Sequence, residues 1–215
     1  MPPPKNSPYR LVVEGPDDLH TVIHVLARHG YDWDDSSIMR PYVDSLGGIT
    51  KLLDSLSVIL KSSFERVGIV IDANASLTNR WAQLRAQSAN AGVELPASPH
   101  PEGTIVAGMR PGTRIGVWLM PDNSSPGTLE SFLSRLVPAD DPCWAYADEA
   151  AGEARRRGAR CPEKDHLKSR LHTWLAWQEE PGLPFGTALR ARVLQHGSDD
   201  ALRFVSWFRR LFVNS

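Results

Sequence analysis

The run Val67-Gly68-Ile69-Val70-Ile71-Asp72 constrains this chain more than any other segment. It is apolar, rich in β-branched residues and too short for a helix, so it reads as a buried strand that ends on an acid. Arg10-Leu11-Val12-Val13-Glu14-Gly15 has the same form, stopped by Gly15-Pro16. A helix follows from Asp17 or Asp18 to His29, with Leu19, Val22, Ile23, Leu26 and Ala27 on one face. Further strands are expected over 37–43, at Thr104 to Ala107 and over Ile115 to Met120, the last broken by Pro121-Asp122-Asn123. Helices are expected at Ile49 to Leu60, entered through Gly47-Gly48, at Leu77 to Ala91, and from Leu129 to Leu136. Strands alternating with such helices imply βαβ units and right-handed crossovers.

The fold class that follows is α/β: a Rossmann-like, mainly parallel sheet flanked by helices. Beyond Pro142 the pattern is helical only, near 143–157, 165–178, 185–195 and 199–212. The expected organisation is therefore an α/β domain over 1–140 with a helical extension, 141–215, packed on it.

Composition narrows the class. A chain of 215 residues with 41% hydrophobic and 23% charged residues has enough apolar material for a packed core. No apolar run is long enough to cross a bilayer, and the proline-rich start lacks the apolar stretch of a signal peptide, so a cytoplasmic location is expected. Two cysteines, Cys143 and Cys161, make neither a disulfide framework nor a zinc cluster. The net charge of −1 hides an uneven split. Residues 1–150 carry 12 Lys and Arg against 18 Asp and Glu; residues 151–215 carry 12 against 7. An acidic front half suits a cation site, and a basic tail tolerates phosphates, although chance gives such a split equally well.

Ligand sites in parallel α/β sheets gather at the carboxyl ends of strands. Three strands here end alike: Val13 runs into Glu14, Ile71 into Asp72, and Met120 into Pro121-Asp122. Packed carboxylates repel and raise one another's pKa unless a cation holds them. Mg²⁺ or Mn²⁺, which take hard oxygen ligands, suit Glu14 and Asp72. Asp18 and Asp122 are possible additional members, and the competing reading for Asp17 and Asp122 is a helix cap or loop acid.

These residues carry a resemblance. Glu14-Gly15-Pro16-Asp17-Asp18 after one strand, Asp72-Ala73-Asn74 after another, and Glu130 resemble the Toprim domain of topoisomerases, bacterial primases, RecR-type recombination proteins and OLD-type nucleases. The likeness covers about residues 8–137. Trp118-Leu119-Met120-Pro121-Asp122-Asn123, Gly127-Thr128-Leu129-Glu130 and Leu171-His172-Thr173-Trp174-Leu175-Ala176-Trp177-Gln178 resemble a narrower group of small stand-alone Toprim-like proteins related to those nucleases. The resemblance implies Glu14 as metal ligand or general acid/base, Asp72 as metal ligand, Glu130 as holder of a second metal, and Lys168 as a catalytic cation. Asn74 stands where the family has its second aspartate, which implies a weaker, single-metal or inactive site.

The remaining candidates have bland alternatives. Arg155, Arg156 and Arg157 offer nucleic-acid contacts or a solvated helix face. Trp174 and Trp177 offer base stacking or, at their helical spacing with leucines, core. His20 and His24 are an i,i+4 pair with no third ligand nearby. There is no phosphate-binding loop of the Walker type and no nucleophile elbow, which disfavours an ATPase or serine hydrolase. The resemblance implies a Mg²⁺- or Mn²⁺-dependent nuclease or related phosphodiester-transfer enzyme acting on nucleic acid, with a separate ATPase partner and a place in antiviral defence. The alternative is a non-catalytic Toprim-fold module for metal binding or assembly, including as an oligomer.

Overall fold

The computed structural model describes residues 7–31, 33 and 40–213. Five strands form one sheet: β1 (Tyr9–Val13), β2 (Tyr42–Ser45), β3 (Arg66–Asp72), β4 (Thr104–Ala107) and β5 (Arg114–Met120), in the order β2-β1-β3-β5-β4. The first four in that order are mutually parallel, and β4 closes one edge antiparallel to β5. The helices are α1 (Pro16–Arg28), α2 (Ile49–Lys61), α3 (Leu77–Ala89), α4 (Leu129–Ser134), α5 (Pro142–Arg156), α6 (His166–Leu175), α7 (Phe185–Arg190) and α8 (Asp199–Phe212). A short 3₁₀ turn, Glu163–Asp165, precedes α6. The sheet is thus mainly parallel and flanked by helices, and the C-terminal third is helical. The strand expected over 37–43 overlaps β2 only at Tyr42 and Val43, and residues 37–39 lie outside the described ones. No helix among the described residues is long and apolar enough to cross a membrane.

Alternation along the strands divides the core into two layers. Leu11, Val13, Val70, Trp118 and Met120 face a large layer shared with α1 and α4 to α8. Val12, Val67, Ile69, Ile71, Ile115, Val117 and Leu119 face a smaller one shared with α2 and α3. The large layer runs continuously from β1 to α8, so the helical segment 141–215 supplies one cover of the sheet.

α8 reaches the sheet because two strand glycines leave room. Gly68 and Gly116 are direct partners across β3 and β5. A Cβ on Gly116 would come 2.4 Å from Leu211 Cδ2 and 3.1 Å from Trp207 Cζ2, and one on Gly68 would come 2.6 Å from Leu11 Cδ1. Strand glycine often marks such close approach. Gly116→Val is expected to lower stability by about 1–3 kcal/mol, the usual cost of overpacking. A urea titration checks this; an unchanged midpoint would mean that α8 does not depend on that contact.

Candidate metal and phosphate site

Each helix entry at the carboxyl edge of the sheet is built locally. Gly15 caps α1, Pro16 occupies the first helical turn with its fixed φ, and the Asp18 carboxylate accepts the Gly15 N–H at 3.0 Å. Gly48, at φ 115°, donates its N–H to the Glu14 carbonyl at 2.7 Å and opens α2, a backbone conformation that favours glycine. Thr128 precedes α4. Three helix N-termini therefore meet where β1 and β3 end, and their dipoles favour negative charge there.

Register brings the two strand-end acids together. Val13 pairs with Val70, which sets Glu14 level with the end of β3. Glu14 Oε1 accepts the Asp72 N–H at 2.8 Å, and Asp72 Oδ1 accepts the Leu129 N–H at 2.8 Å. Glu14, Asp17, Asp18, Asp72, Glu130 and Lys168 line one open cleft of about 270 Å³, floored by Gly15, Gly48 and Leu129. Glu130 accepts from the Thr128 hydroxyl at 2.7 Å. Its other oxygen lies 3.2 Å from Lys168 Nζ, and Asp17 Oδ2 lies 3.7 Å from the same nitrogen.

The electrostatics follow from burial and crowding. Burial and the neighbouring Asp18, Glu14 and Glu130 carboxylates push Asp72 up to about 8, against the Leu129 hydrogen bond. Burial, then Glu14, pushes Asp18 up to about 7. Burial also raises Glu14, opposed by the Asp72 N–H and by Arg80. Burial works against the Lys168 ammonium, but Glu130 and Asp17 outweigh it and raise its pKa, so it stays charged. Asp18 is 8% exposed, and its Oδ1 is buried with no hydrogen-bond partner.

Among the described residues, no three His, Cys, Asp or Glu side chains stand close enough to grip an ion in this arrangement. The donor chemistry nevertheless fits a hard cation. The cleft offers carboxylate oxygens, one of them buried and unsatisfied, in a cluster whose negative charge is costly without a counter-ion.

Other sequence candidates lie elsewhere. Asp122, grouped by sequence with the strand-end acids, is a structural acid. It accepts the Ser124 and Ser125 N–H groups at 2.9 and 2.7 Å and pairs with Arg135 at 2.7 Å, and Arg135 in turn holds Asp200 at 2.9 Å. Burial would raise its carboxyl, but Arg135 and the N–H donors outweigh that and hold it below its usual range. Asp122 does not line the cleft.

Asn74 is exposed, at φ 55°, with its backbone bridged both ways to Gly127 at 2.7 and 2.8 Å. It does not line the cleft. Asparagine is among the few non-glycine residues suited to that left-handed conformation, which accounts for an amide there. Arg156 and Arg157 both pair with Glu153, and Arg155 pairs with Glu163, away from the cleft lining. Trp174 is core, whereas Trp177 is 41% exposed and stacks on Tyr146 at 5.3 Å. His20 and His24 pack against Gly186 of α7.

Two neighbours of the cleft escaped the sequence reading. Arg80, on α3, donates from Nε to the Asp72 carbonyl at 3.0 Å. His172, one turn after Lys168, stacks on Phe185 at 4.8 Å. It lines a hollow of about 540 Å³ that shares Lys168 with the carboxylate cleft. His172 stood in the sequence only as part of the Leu171 to Gln178 motif, with no role attached; for Arg80 there was no signal.

Comparison with known families places the chain. A family model described as "Protein of unknown function (DUF3226)" matches residues 8–213, nearly the whole chain, and the protein belongs to that family. No curated protein and no solved structure matches it.

Proposed function

We propose that this member of the DUF3226 family is a Mg²⁺- or Mn²⁺-dependent nuclease or related phosphodiester-transfer enzyme of the Toprim type. One observation carries the reading: the buried Asp18 and the half-buried Glu14 and Asp72, all with raised pKa values, share a cleft with Lys168 at the carboxyl edge of a parallel sheet. Glu14, Asp72 and Asp18 would hold the ion, with Glu130 at its Lys168 side. A bound divalent cation supplies Lewis-acid polarisation of a phosphoryl oxygen and a more acidic water. Lys168 steadies negative charge developing on the phosphoryl group, and Glu130 positions the Lys168 ammonium by the 3.2 Å ion pair. Glu14 Oε1 accepts the Asp72 N–H, which fixes its carboxylate at the strand ends where that ion would sit.

A second reading, a non-catalytic metal-binding or assembly module, is favoured by the net charge of −1, which supplies no overall attraction to a polyanionic substrate. The test is incubation of pure protein with plasmid, single-stranded DNA and RNA, with Mg²⁺, Mn²⁺ or EDTA. Metal-dependent cleavage is expected. No cleavage of any substrate with either metal, together with undiminished metal binding by calorimetry, would replace the nuclease reading with the module.

A further inference from the structure

Lys168 lines the acidic cleft, and Arg80, just outside that lining, stands beside Asp72 and close enough to Glu14 to lower its pKa, on the other side of the sheet. Lys168 belongs to α6, whose Leu171, Trp174 and Leu175 pack in the larger core layer. Arg80 belongs to α3, whose Trp81 and Leu84 pack in the smaller layer on the opposite face. Both helices present their cation toward the carboxyl edge: Lys168 reaches Glu130 at 3.2 Å, and Arg80 reaches the Asp72 carbonyl at 3.0 Å.

The Arg80 guanidinium is only partly used. Nε bonds the Asp72 carbonyl, and one terminal nitrogen holds the Gln83 side chain at 3.0 Å. Among the described residues no carboxylate lies within ion-pair distance of it, so it differs from Arg135, Arg156 and Arg157, which are each tied to acids. The backbone bond fixes the guanidinium beside the last residue of β3 without neutralising its charge. A half-buried cation fixed by a backbone carbonyl, with spare donors, is suited to a phosphate oxygen.

From this placement, and resting on the function proposed above, we infer that Arg80 is a phosphate-binding residue. It holds a phosphate on the side of the reacting bond opposite Lys168. The substrate then crosses the carboxyl edge of the sheet from the α6 hollow, past Glu14 and Asp72, to α3. With Lys168 at the reacting phosphoryl group and Arg80 at a neighbouring phosphate, the substrate is a run of successive phosphates along a polynucleotide chain, and the open cleft needs no chain end.

The test is binding, with Ca²⁺ in place of the catalytic ion, of a fluorescein-labelled single-stranded 20-mer followed by anisotropy across a salt series. Arg80→Gln should bind severalfold more weakly and flatten the slope of log affinity against log salt by about 0.7, the loss of one phosphate contact. Arg80→Lys should restore most of the slope. Lys168→Gln should lower the slope by a similar amount, and the double variant by about 1.4, since the two cations stand on opposite faces. Mn²⁺ affinity by calorimetry and the melting temperature of Arg80→Gln should stay near wild type, separating phosphate binding from support of Asp72. An unlabelled circular oligonucleotide should compete as well as the linear one.

A wild-type slope in Arg80→Gln, or competition that requires a free end, would overturn this assignment and leave the nuclease reading intact. Wild-type protein that binds no oligonucleotide would overturn both.

Discussion

Metal-free protein is expected to lose stability as pH rises from 5 to 8, and Asp72→Asn is expected to remove the part of that loss carried by Asp72, leaving the part carried by the buried Asp18. The sign follows from proton uptake. Asp72 and Asp18 titrate near 3.8 when unfolded and near 8 and 7 when folded. Between these values the folded chain holds protons that the unfolded chain has released, so stability falls with rising pH, by up to about 1.4 kcal/mol per unit for each group. Protonating one carboxyl relieves the other, so the pair should contribute about 3 kcal/mol across the interval, well below the independent sum. For a chain of this size that is roughly 6–12 °C in Tm. His24, His172 and His196 have lowered pKa values, chiefly from burial, and act in the opposite direction, destabilising the fold as pH falls. The difference between wild type and Asp72→Asn isolates the carboxylate part. Asparagine keeps the oxygen that accepts the Leu129 N–H, so the end of β3 and the entry to α4 are preserved.

Mn²⁺ should raise Tm more at pH 8 than at pH 5, because ion and proton compete for the same oxygens; an ion at 100 times its Kd adds about 2.7 kcal/mol. Parallel pH profiles for wild type and Asp72→Asn would mean that the Asp72 carboxyl is not raised in the folded protein.

Local sequence made the sheet legible. The runs ending at Val13, Ile71 and Met120 become β1, β3 and β5, and Glu14 and Asp72 end up neighbours because adjacent parallel strands in register bring their carboxyl ends to one edge. What stayed hidden depends on partners distant in sequence. Asp122 looks like Asp72 until Arg135 and Asp200 claim it. Asn74 looks like a weakened ligand until its left-handed backbone and its bridge to Gly127 turn it aside. Asp18 is a capping acid by its position in α1; only burial of its second oxygen marks it as more. Gly68 and Gly116 carry no signal within their apolar runs, and their purpose appears only with α8 laid across them. Arg80 carries no local signal, since an arginine in a helix of low amphipathicity looks like a solvated one. Its carbonyl partner lies eight residues back, beyond any helical spacing rule.

Asp72→Asn should also abolish metal-dependent cleavage, a loss of at least about a thousandfold, because the ion's contribution to the reacting phosphoryl group amounts to several kcal/mol. The variant should fold at least as stably as wild type in EDTA at pH 8, by the electrostatic argument above, so lost activity cannot be attributed to lost structure. Glu14→Gln keeps an oxygen for the Asp72 N–H and should behave alike in both respects. Lys168→Gln should differ. It leaves Glu130 without its ammonium partner, lowers turnover by about 10- to 1,000-fold, and leaves Mn²⁺ affinity nearly unchanged or slightly stronger, because a competing cation has gone. The decisive comparison sets cleavage rate, Mn²⁺ affinity and Tm side by side for the three variants. Cleavage that survives Asp72→Asn would assign the activity to another protein in the preparation or to a different site. Equal losses of Mn²⁺ affinity in all three would place Lys168 in the support of the ion and remove it from the chemistry. Loss of turnover in Lys168→Gln at constant Mn²⁺ affinity separates the two tasks: the strand-end acids hold the ion, and α6 meets the phosphate.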